Sequence, residues 1–484
     1  MTNTSTSTST STSTDTNVIR PYQSYVYAYP HKTSYRPLPD RPVLRELWRP
    51  EPKDALSLYL HIPFCEVRCG FCNLFTRIGA PDELTTRYLD ALERQALAVR
   101  DALGDAGRDK VTDSIAGTGK GTSTGPVRFA AAAFGGGTPT FLTAGELERL
   151  CDIAERRMGA DLRAVPFSVE TSPATATADR LAVLAERGTT RLSIGVQSFV
   201  DDEARAAVRP QRRADVEAAL SRIRDTAIPV LNIDLIYGID GQTEATWRRS
   251  LDAALAWRPE ELYLYPLYVR PLTGLGRLDG TGTEPGTGTD LDTVWDEQRL
   301  RLYRYGREHL LANGYEQVSM RMFRRTGGPD AALGGPDDHA CQTDGMIGLG
   351  CGARSYTSGL HYSFDYAVDM RRIRTIIDDY TATEDFTRAE VGRRIDTDEA
   401  RRRHLLQSLL QARGMEVAEY RTRFGTAPAD DFPAELAAFA DRGWLEENGG
   451  LLRLTPEGLA YSDALGPALF SPAVRAAMAA YEAK

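Results

Sequence analysis

The sequence predicts an α/β protein: a parallel sheet with helices packed outside it, curled into a barrel or part of one. Three observations carry that expectation. Six short apolar runs, at residues 56–62, 129–135, 167–171, 191–197, 230–237 and 262–269, alternate with segments of helical periodicity such as 82–103, 144–157, 178–187 and 213–225. Strands alternating with helices read as βα units, and right-handed crossovers curl such a series toward a barrel. Several runs end in or carry Gly, Glu, Gln or Asp, and in such sheets the ligand sits at the carboxyl ends of the strands. Finally, the first run leads directly into three cysteines within eight residues, Cys65, Cys69 and Cys72.

In chain order, residues 1–20 open with Thr/Ser alternation that offers nothing to bury and is expected to be disordered. Residues 21–54 form an aromatic-rich segment, with five of the chain's 21 tyrosines between Tyr22 and Tyr35. Its alternating Tyr25, Tyr27 and Tyr29 have two open readings, one face of a short edge strand or a lid over a ligand. Residues 55–278 hold the βα series. A Gly-rich insertion at 104–126 contains a superficial phosphate loop, but Ser114 stands where its first Gly should be and no strand leads in, so it reads as linker. A second linker spans 279–292. Residues 293–375 form a capping extension with a helix at 294–313, a strand beginning at 314–319 and a Gly-dense turn at 348–356. Residues 376–484 are helical and end in two short strands joined by an Asn-Gly turn, a winged-helix-like pattern without a basic stripe, which fits a packing or substrate-cover role.

The chain has 484 residues, 42% hydrophobic and 26% charged, with a net charge of −9. This is ordinary globular composition. The acidic balance argues against nucleic acid and against a membrane surface. No run approaches the roughly 18–20 apolar residues of a membrane span and no signal peptide is visible, so a cytoplasmic protein is expected. Six cysteines are too few for a disulfide scaffold.

The loop His61-Ile-Pro-Phe-Cys65-Glu-Val-Arg-Cys69-Gly-Phe-Cys72 has the spacing C-x3-C-x2-C. Three thiolates leave one metal position open, and an open position argues for chemistry rather than structural stapling. A zinc loop is the alternative, but no fourth ligand follows at a usual spacing. Further polar groups mark the strand ends: Gly135, Gly136, Gly137 and Thr138 after the second, Glu170 in the third, Gln197 in the fourth with Arg209 twelve residues on, and Asp234 inside the fifth. Consecutive glycines let the backbone face a small zwitterion. An acid in an apolar strand requires a partner or ligand; Asp234 paired with Arg209 is the structural alternative to ligand binding.

The cysteine loop, together with GGGTPT, VETSP, RLSIGVQSF, Arg209 and NIDLIYGIDGQT, resembles the radical S-adenosylmethionine (SAM) superfamily, in particular its oxygen-independent coproporphyrinogen III oxidases, haem chaperones and related methylases. The resemblance spans about residues 55–275 and continues weakly through GLGCGARSY into the C-terminal module. It implies a partial (β/α)6 barrel, a [4Fe-4S] cluster on Cys65, Cys69 and Cys72, and SAM contacts at Tyr59, Phe71, Gly136, Gly137, Thr138, Glu170, Gln197, Arg209 and Asp234. It also implies SAM cleavage to a 5′-deoxyadenosyl radical, a flavodoxin-type electron donor, and a small-molecule or porphyrin-like substrate; a monomer is expected. Departures are plain. Leu74 replaces the further cysteine of the oxidases, Arg270 replaces a glutamate at the sixth strand exit, and the family's later His-Asn…Tyr-Trp segment is not recognisable. A haem chaperone of the same family is the alternative, with His339, His361 and Cys341 as candidate axial ligands. A scaffold that binds cluster and SAM without cleaving it is the third possibility.

Overall fold

The computed structural model describes residues 19–104, 126–270, 272–278, 290–328 and 341–481. The Thr/Ser tail, the phosphate-loop-like stretch, residues 281–289 and His339 lie outside the described residues.

Strands are numbered in chain order. β1 is Arg36–Pro37, β2 Leu56–Ile62, β3 Phe64–Cys65, β4 Arg77–Ile78, β5 Phe129–Gly136, β6 Phe167–Thr171, β7 Arg191–Gln197, β8 Val230–Tyr237 and β9 Glu261–Pro266. The extension adds β10 (Tyr315–Gln317), β11 (Met322–Arg325), β12 (Met346–Leu349), β13 (Arg354–Tyr356), β14 (Leu360–Ser363) and β15 (Val391–Arg394). Among the described residues thirteen of these form one open sheet, in the order β1-β15-β14-β13-β12-β2-β5-β6-β7-β8-β9-β11-β10. The run from β12 to β9 is parallel. The six expected parallel strands are all present. Residues 293–375, expected as a cap, instead extend the same sheet: β12 adds a seventh parallel strand beside β2, and antiparallel strands finish both edges.

The register divides the sheet into two unlike faces, because side chains alternate along a strand. One face carries Leu58, Leu60, Ile62, Phe134, Val169, Leu192, Ile194, Ile233 and Leu262, all buried. Each such side chain contributes about 1.5–3 kcal/mol relative to leaving it in water. The other face carries Tyr59, Gly135, Glu170, Ser193, Asp234 and Tyr263 in near-register. On that polar face Glu170 and Asp234 keep open surface although they lie deep in the protein, which marks an internal hollow beside them.

The helix Asp82–Leu103 shows how sequence fixes the apolar layer. It starts after Pro81 with Asp82 and Glu83 in its first turn, buries Leu84, Tyr88, Leu92, Ala96, Val99 and Leu103, and stops at Gly104 with φ 78°. The acids favour the positive helix end, and the glycine adopts a conformation that side chains avoid. The helix expected at 144–157 begins with a reciprocal Thr143/Glu146 cap and changes to a wider π turn over Ile153–Met158 before Gly159.

The C-terminal module has its own core around Leu405, Tyr420, Phe432, Phe439, Trp444 and Leu452. Its small sheet orders as β16 (Met415–Glu416), β18 (Leu451–Leu454) and β17 (Leu445–Asn448). The expected Asn-Gly turn is displaced by one residue: Gly449 and Gly450, at φ 62° and 90°, are its two central residues. Tyr29 of the N-terminal segment is inserted into this second core. No helix among the described residues is long and apolar enough to cross a membrane.

Candidate functional site

The cysteine loop leaves β2 at the carboxyl end of the sheet. Cys65, Cys69 and Cys72 are free and half-buried. The loop's course is held by backbone hydrogen bonds. Gly70 donates to Ala207 O (3.1 Å), Leu275 donates to Gly70 O (2.8 Å), Cys72 donates to Cys69 O (3.0 Å) and Arg77 donates to Pro63 O (2.6 Å). A Cβ on Gly70 would lie 2.8 Å from the Val208 Cβ, so only glycine fits. Val208 and Gln197 themselves sit at φ 50° and 69°. These left-handed conformations cost side-chain-bearing residues roughly 1–3 kcal/mol each and cluster where function demands them.

Burial pushes the Cys65 thiol up to about 12, partly offset by the Thr138 hydroxyl 3.5 Å away, and it raises Cys72 as well. Cys69 accepts a hydrogen bond from Arg209 Nη1 at 3.0 Å. Thiols in such surroundings ionise when a cationic group arrives among them, and soft thiolates suit iron–sulfur clusters. Among the described residues no three or more His, Cys, Asp and Glu side chains converge as a single-ion site. A four-iron cluster takes its thiolates one per iron, and three such sulfurs need not converge on one point. The donor set fits it.

Beside the loop, Gly136 donates to Glu170 Oε2 (3.0 Å), Gly137 to Ile62 O (2.7 Å) and Thr138 to Phe64 O (2.9 Å). The sequence suggests amides facing a ligand; these three are engaged inside the protein, so the turn contributes space. A Cβ on Gly137 would stand 2.6 Å from Phe64 O. The Tyr59 hydroxyl is 3.2 Å from His61 Nδ1. Glu170 is the one exposed residue of β6, yet it lies deep in the protein; its open surface faces the hollow. Burial holds its carboxyl up at about 7, and Asp234 up at about 6. Asn232 Nδ2 (2.7 Å) and Ser193 Oγ (3.4 Å) donate to Asp234. The Arg209–Asp234 ion pair does not form. Arg209 is held instead by Cys69 Sγ, Gly195 O and Gln211 Oε1, which leaves Asp234 facing the hollow. Gln197 folds back over Gly195, whose Cβ would meet its Nε2 at 2.9 Å. Phe71 packs against an apolar group of Ala207, Ile236 and Leu267.

The N-terminal segment closes over the strand ends. Tyr25, Tyr27 and Tyr29 are not an edge strand; the pairing edge is β1, further along. Tyr25 meets Tyr265 edge-on at 6.3 Å and lies under the Arg321 guanidinium at 3.8 Å, while Tyr22 meets Tyr237 at 6.2 Å. Arg270 forms no ion pair among the described residues; it stacks on Tyr268 (4.8 Å) and donates to Gln23 O (3.3 Å). Leu74 is 47% exposed beside the loop. His361 is fully buried, and Arg403 Nη1 donates to its Nε2 at 2.8 Å. Burial and its arginine neighbours keep it neutral; what stands between it and a haem iron is its burial and the Arg403 contact at Nε2. Cys341 is half-buried. Sequence reasoning missed Arg191, Lys32 and Arg354 at the hollow. For Arg191 a signal existed, since it opens a strand whose Ser193 and Gly195 share its face.

The radical SAM superfamily profile matches residues 124–254, and the HemN C-terminal domain profile matches residues 395–461. The chain thus carries a radical SAM superfamily domain and a HemN C-terminal domain, and it resembles the coproporphyrinogen III oxidase-like proteins. Its cofactors are a [4Fe-4S] cluster and SAM. The matched interval contains Gly135 to Thr138, Glu170, Gln197, Arg209 and Asp234, but begins after the cysteine loop. A relative named haem chaperone HemW, from Bacillus subtilis, is 26% identical over 405 residues, 83% of this chain and 96% of its own. An oxygen-independent coproporphyrinogen III oxidase from Paracoccus denitrificans is 30% identical over 307 residues, 62% of this chain and 60% of its own. The fold of this radical SAM protein matches the coproporphyrinogen III oxidase HemN of Escherichia coli with a TM-score of 0.72 at 21% identity, covering 92% and 96% of the two chains.

Proposed function

We propose that this chain is a radical SAM enzyme in which Cys65, Cys69 and Cys72 each give one thiolate to a [4Fe-4S] cluster. SAM binds across the polar face, where Tyr59, Phe71, Gly136, Gly137, Thr138, Glu170, Gln197, Arg209 and Asp234 surround it. The observation that carries this reading is three free thiols in one short loop, beside a polar sheet face that carries Glu170 and Asp234. Bound together, the two cofactors supply one-electron cleavage of SAM to a 5′-deoxyadenosyl radical that abstracts hydrogen from a substrate C–H bond.

The chain's residues bind and shield. Arg209 donates to the Cys69 sulfur and holds negative charge there. Glu170 and Asp234 accept from hydroxyl or ammonium groups, and a cationic ligand lowers their pKa values toward the ordinary carboxylate range. Tyr22 and Tyr25 roof the strand ends and exclude water from a reactive intermediate. The reaction is a C–H modification such as methylation, or a porphyrinogen oxidative decarboxylation, fed by a flavodoxin-type donor.

Haem transfer is the second reading, favoured by relatives named HemW that align over nearly their full length. Of its candidate axial ligands among the described residues, His361 is fully buried against Arg403 and Cys341 is half-buried. Anaerobic reconstitution with iron and sulfide, then dithionite and SAM, separates the two. We expect 5′-deoxyadenosine from the wild type and none from the Cys65/Cys69/Cys72→Ala variant. A Soret band on haem titration, with a loaded cluster and no 5′-deoxyadenosine, favours the chaperone.

A further inference from the structure

Four cations lie against the tyrosines of the polar face and of the segment that roofs it, and they fall into two kinds. Arg191 donates to Glu261 Oε2 at 2.6 Å, and Arg321 pairs with Asp463. Lys32 and Arg354 have no such partner among the described residues. Lys32 donates to the Tyr366 hydroxyl and lies 3.8 Å over that ring. Arg354 Nη1 donates to the Tyr27 hydroxyl at 2.8 Å. Both cations also flank the Tyr27 ring, at 5.9 Å and 4.7 Å from its centroid. Asp365 lines the small cleft they share, but its carboxylate accepts from Tyr366 N–H at 2.7 Å and forms no ion pair. Both lie deep in the protein yet keep accessible surface.

Two like charges around one ring repel, and burying them without a counter-charge is unfavourable. Hydroxyls and ring faces offset only part of this. A small anion between them would offset the rest. We propose that Lys32 and Arg354 form a subsite for a carboxylate group of the substrate, an inference that rests on the radical SAM reading above. The planar fork of an arginine and the point charge of a lysine suit a carboxylate. The location fits substrate rather than SAM. Arg354 shares the polar sheet face but sits on β13, on the opposite side of the cysteine loop from Arg209 on the β7 exit. Lys32 reaches that loop through Tyr366, whose hydroxyl donates to Asn73 O at 2.7 Å.

The test is thermal stabilisation of full-length, cluster-loaded protein with SAM present. It is titrated with sodium propionate, with propionamide as the uncharged isostere and sodium chloride as the ionic-strength control. Wild type is compared with Lys32→Met, Arg354→Met and the charge-keeping Arg354→Lys. We expect a saturable rise in Tm with propionate alone. The apparent dissociation constant should weaken roughly tenfold or more in each Met variant, the loss of one charged hydrogen bond, and less in Arg354→Lys. SAM affinity should stay within about twofold, well under the effect of one such bond. Equal responses to propionate and propionamide in the wild type overturn the proposal. So do Met variants that bind propionate normally, or that lose SAM affinity, which would assign the cations to the cofactor. Failure of the radical SAM reading shows separately, as absent 5′-deoxyadenosine in the wild type.

Discussion

The two walls of the hollow use the same residue types in opposite ways. On the side from β7 to β11 each cation is closed by a carboxylate, Arg191 by Glu261 and Arg321 by Asp463. On the β13 side Lys32 and Arg354 hydrogen-bond tyrosine hydroxyls and, among the described residues, pair with no carboxylate. The first wall is structure, complete within the protein. The second is a site, with its charge left for something else. A closed pair is vulnerable to loss of either member, whereas an open cation is one the fold does not depend on.

The largest effect should follow from opening a closed pair. Asp463→Asn leaves Arg321, 5% exposed at its side chain, without its carboxylate, and the Tyr268 hydroxyl, which shares that oxygen, must compete for a neutral amide oxygen. Destabilisation of about 3–5 kcal/mol is expected in urea unfolding. A change under about 1 kcal/mol, the range of a surface pair, would erase the distinction between the walls.

The loop that joins them comes next. Gly70→Ala places a Cβ 2.8 Å from Val208, itself at φ 50°. Overpacking there should cost about 1–3 kcal/mol and lower the iron bound per chain after reconstitution. Full iron loading at wild-type stability would show that the loop does not need the close approach of Gly70 to Val208.

The floor between the walls should report through pH. Burial raises Glu170 to about 7 and Asp234 to about 6. The folded protein therefore holds protons that the unfolded chain has released. Stability from these groups is complete below the ordinary carboxyl range and is lost as pH rises through about 6 to 7. Glu170→Gln should flatten the fall in Tm near pH 7, and Asp234→Asn the part near pH 6. An unchanged Tm profile in both variants would remove the hollow's electrostatic character.

The smallest effect sharpens the contrast. Lys32→Met without ligand should change stability by less than about 1 kcal/mol, or raise it, because it removes a cation that faces another. A large loss would make Lys32 structural.

Much of the parallel sheet is legible in the sequence. Leu56–Ile62, Phe167–Thr171, Arg191–Gln197 and Val230–Tyr237 fall where their apolar runs predict, because central parallel strands bury at least one face completely and turn residues bound them. The cysteine loop and the strand-end acids were equally visible, since neither type sits in an apolar context without cause. The extension was not legible as sheet: β12 has four residues, and its pairing with β2 reaches back almost 290 positions. Alternating Tyr25 and Tyr27 resemble an edge strand locally, but their partners are Tyr265, Arg321 and Arg354, which no local pattern announces. The subsite pairs Lys32 with Arg354 for the same reason.

The central claim is that three thiolates hold a cluster with one iron open to SAM. It is tested most directly by electron paramagnetic resonance of the dithionite-reduced, reconstituted protein, recorded with and without SAM. The account predicts a [4Fe-4S]⁺ signal whose g-values shift when SAM is added, and no such cluster in the Cys65/Cys69/Cys72→Ala variant. A signal that SAM leaves unchanged, or one that survives in the variant, would contradict it.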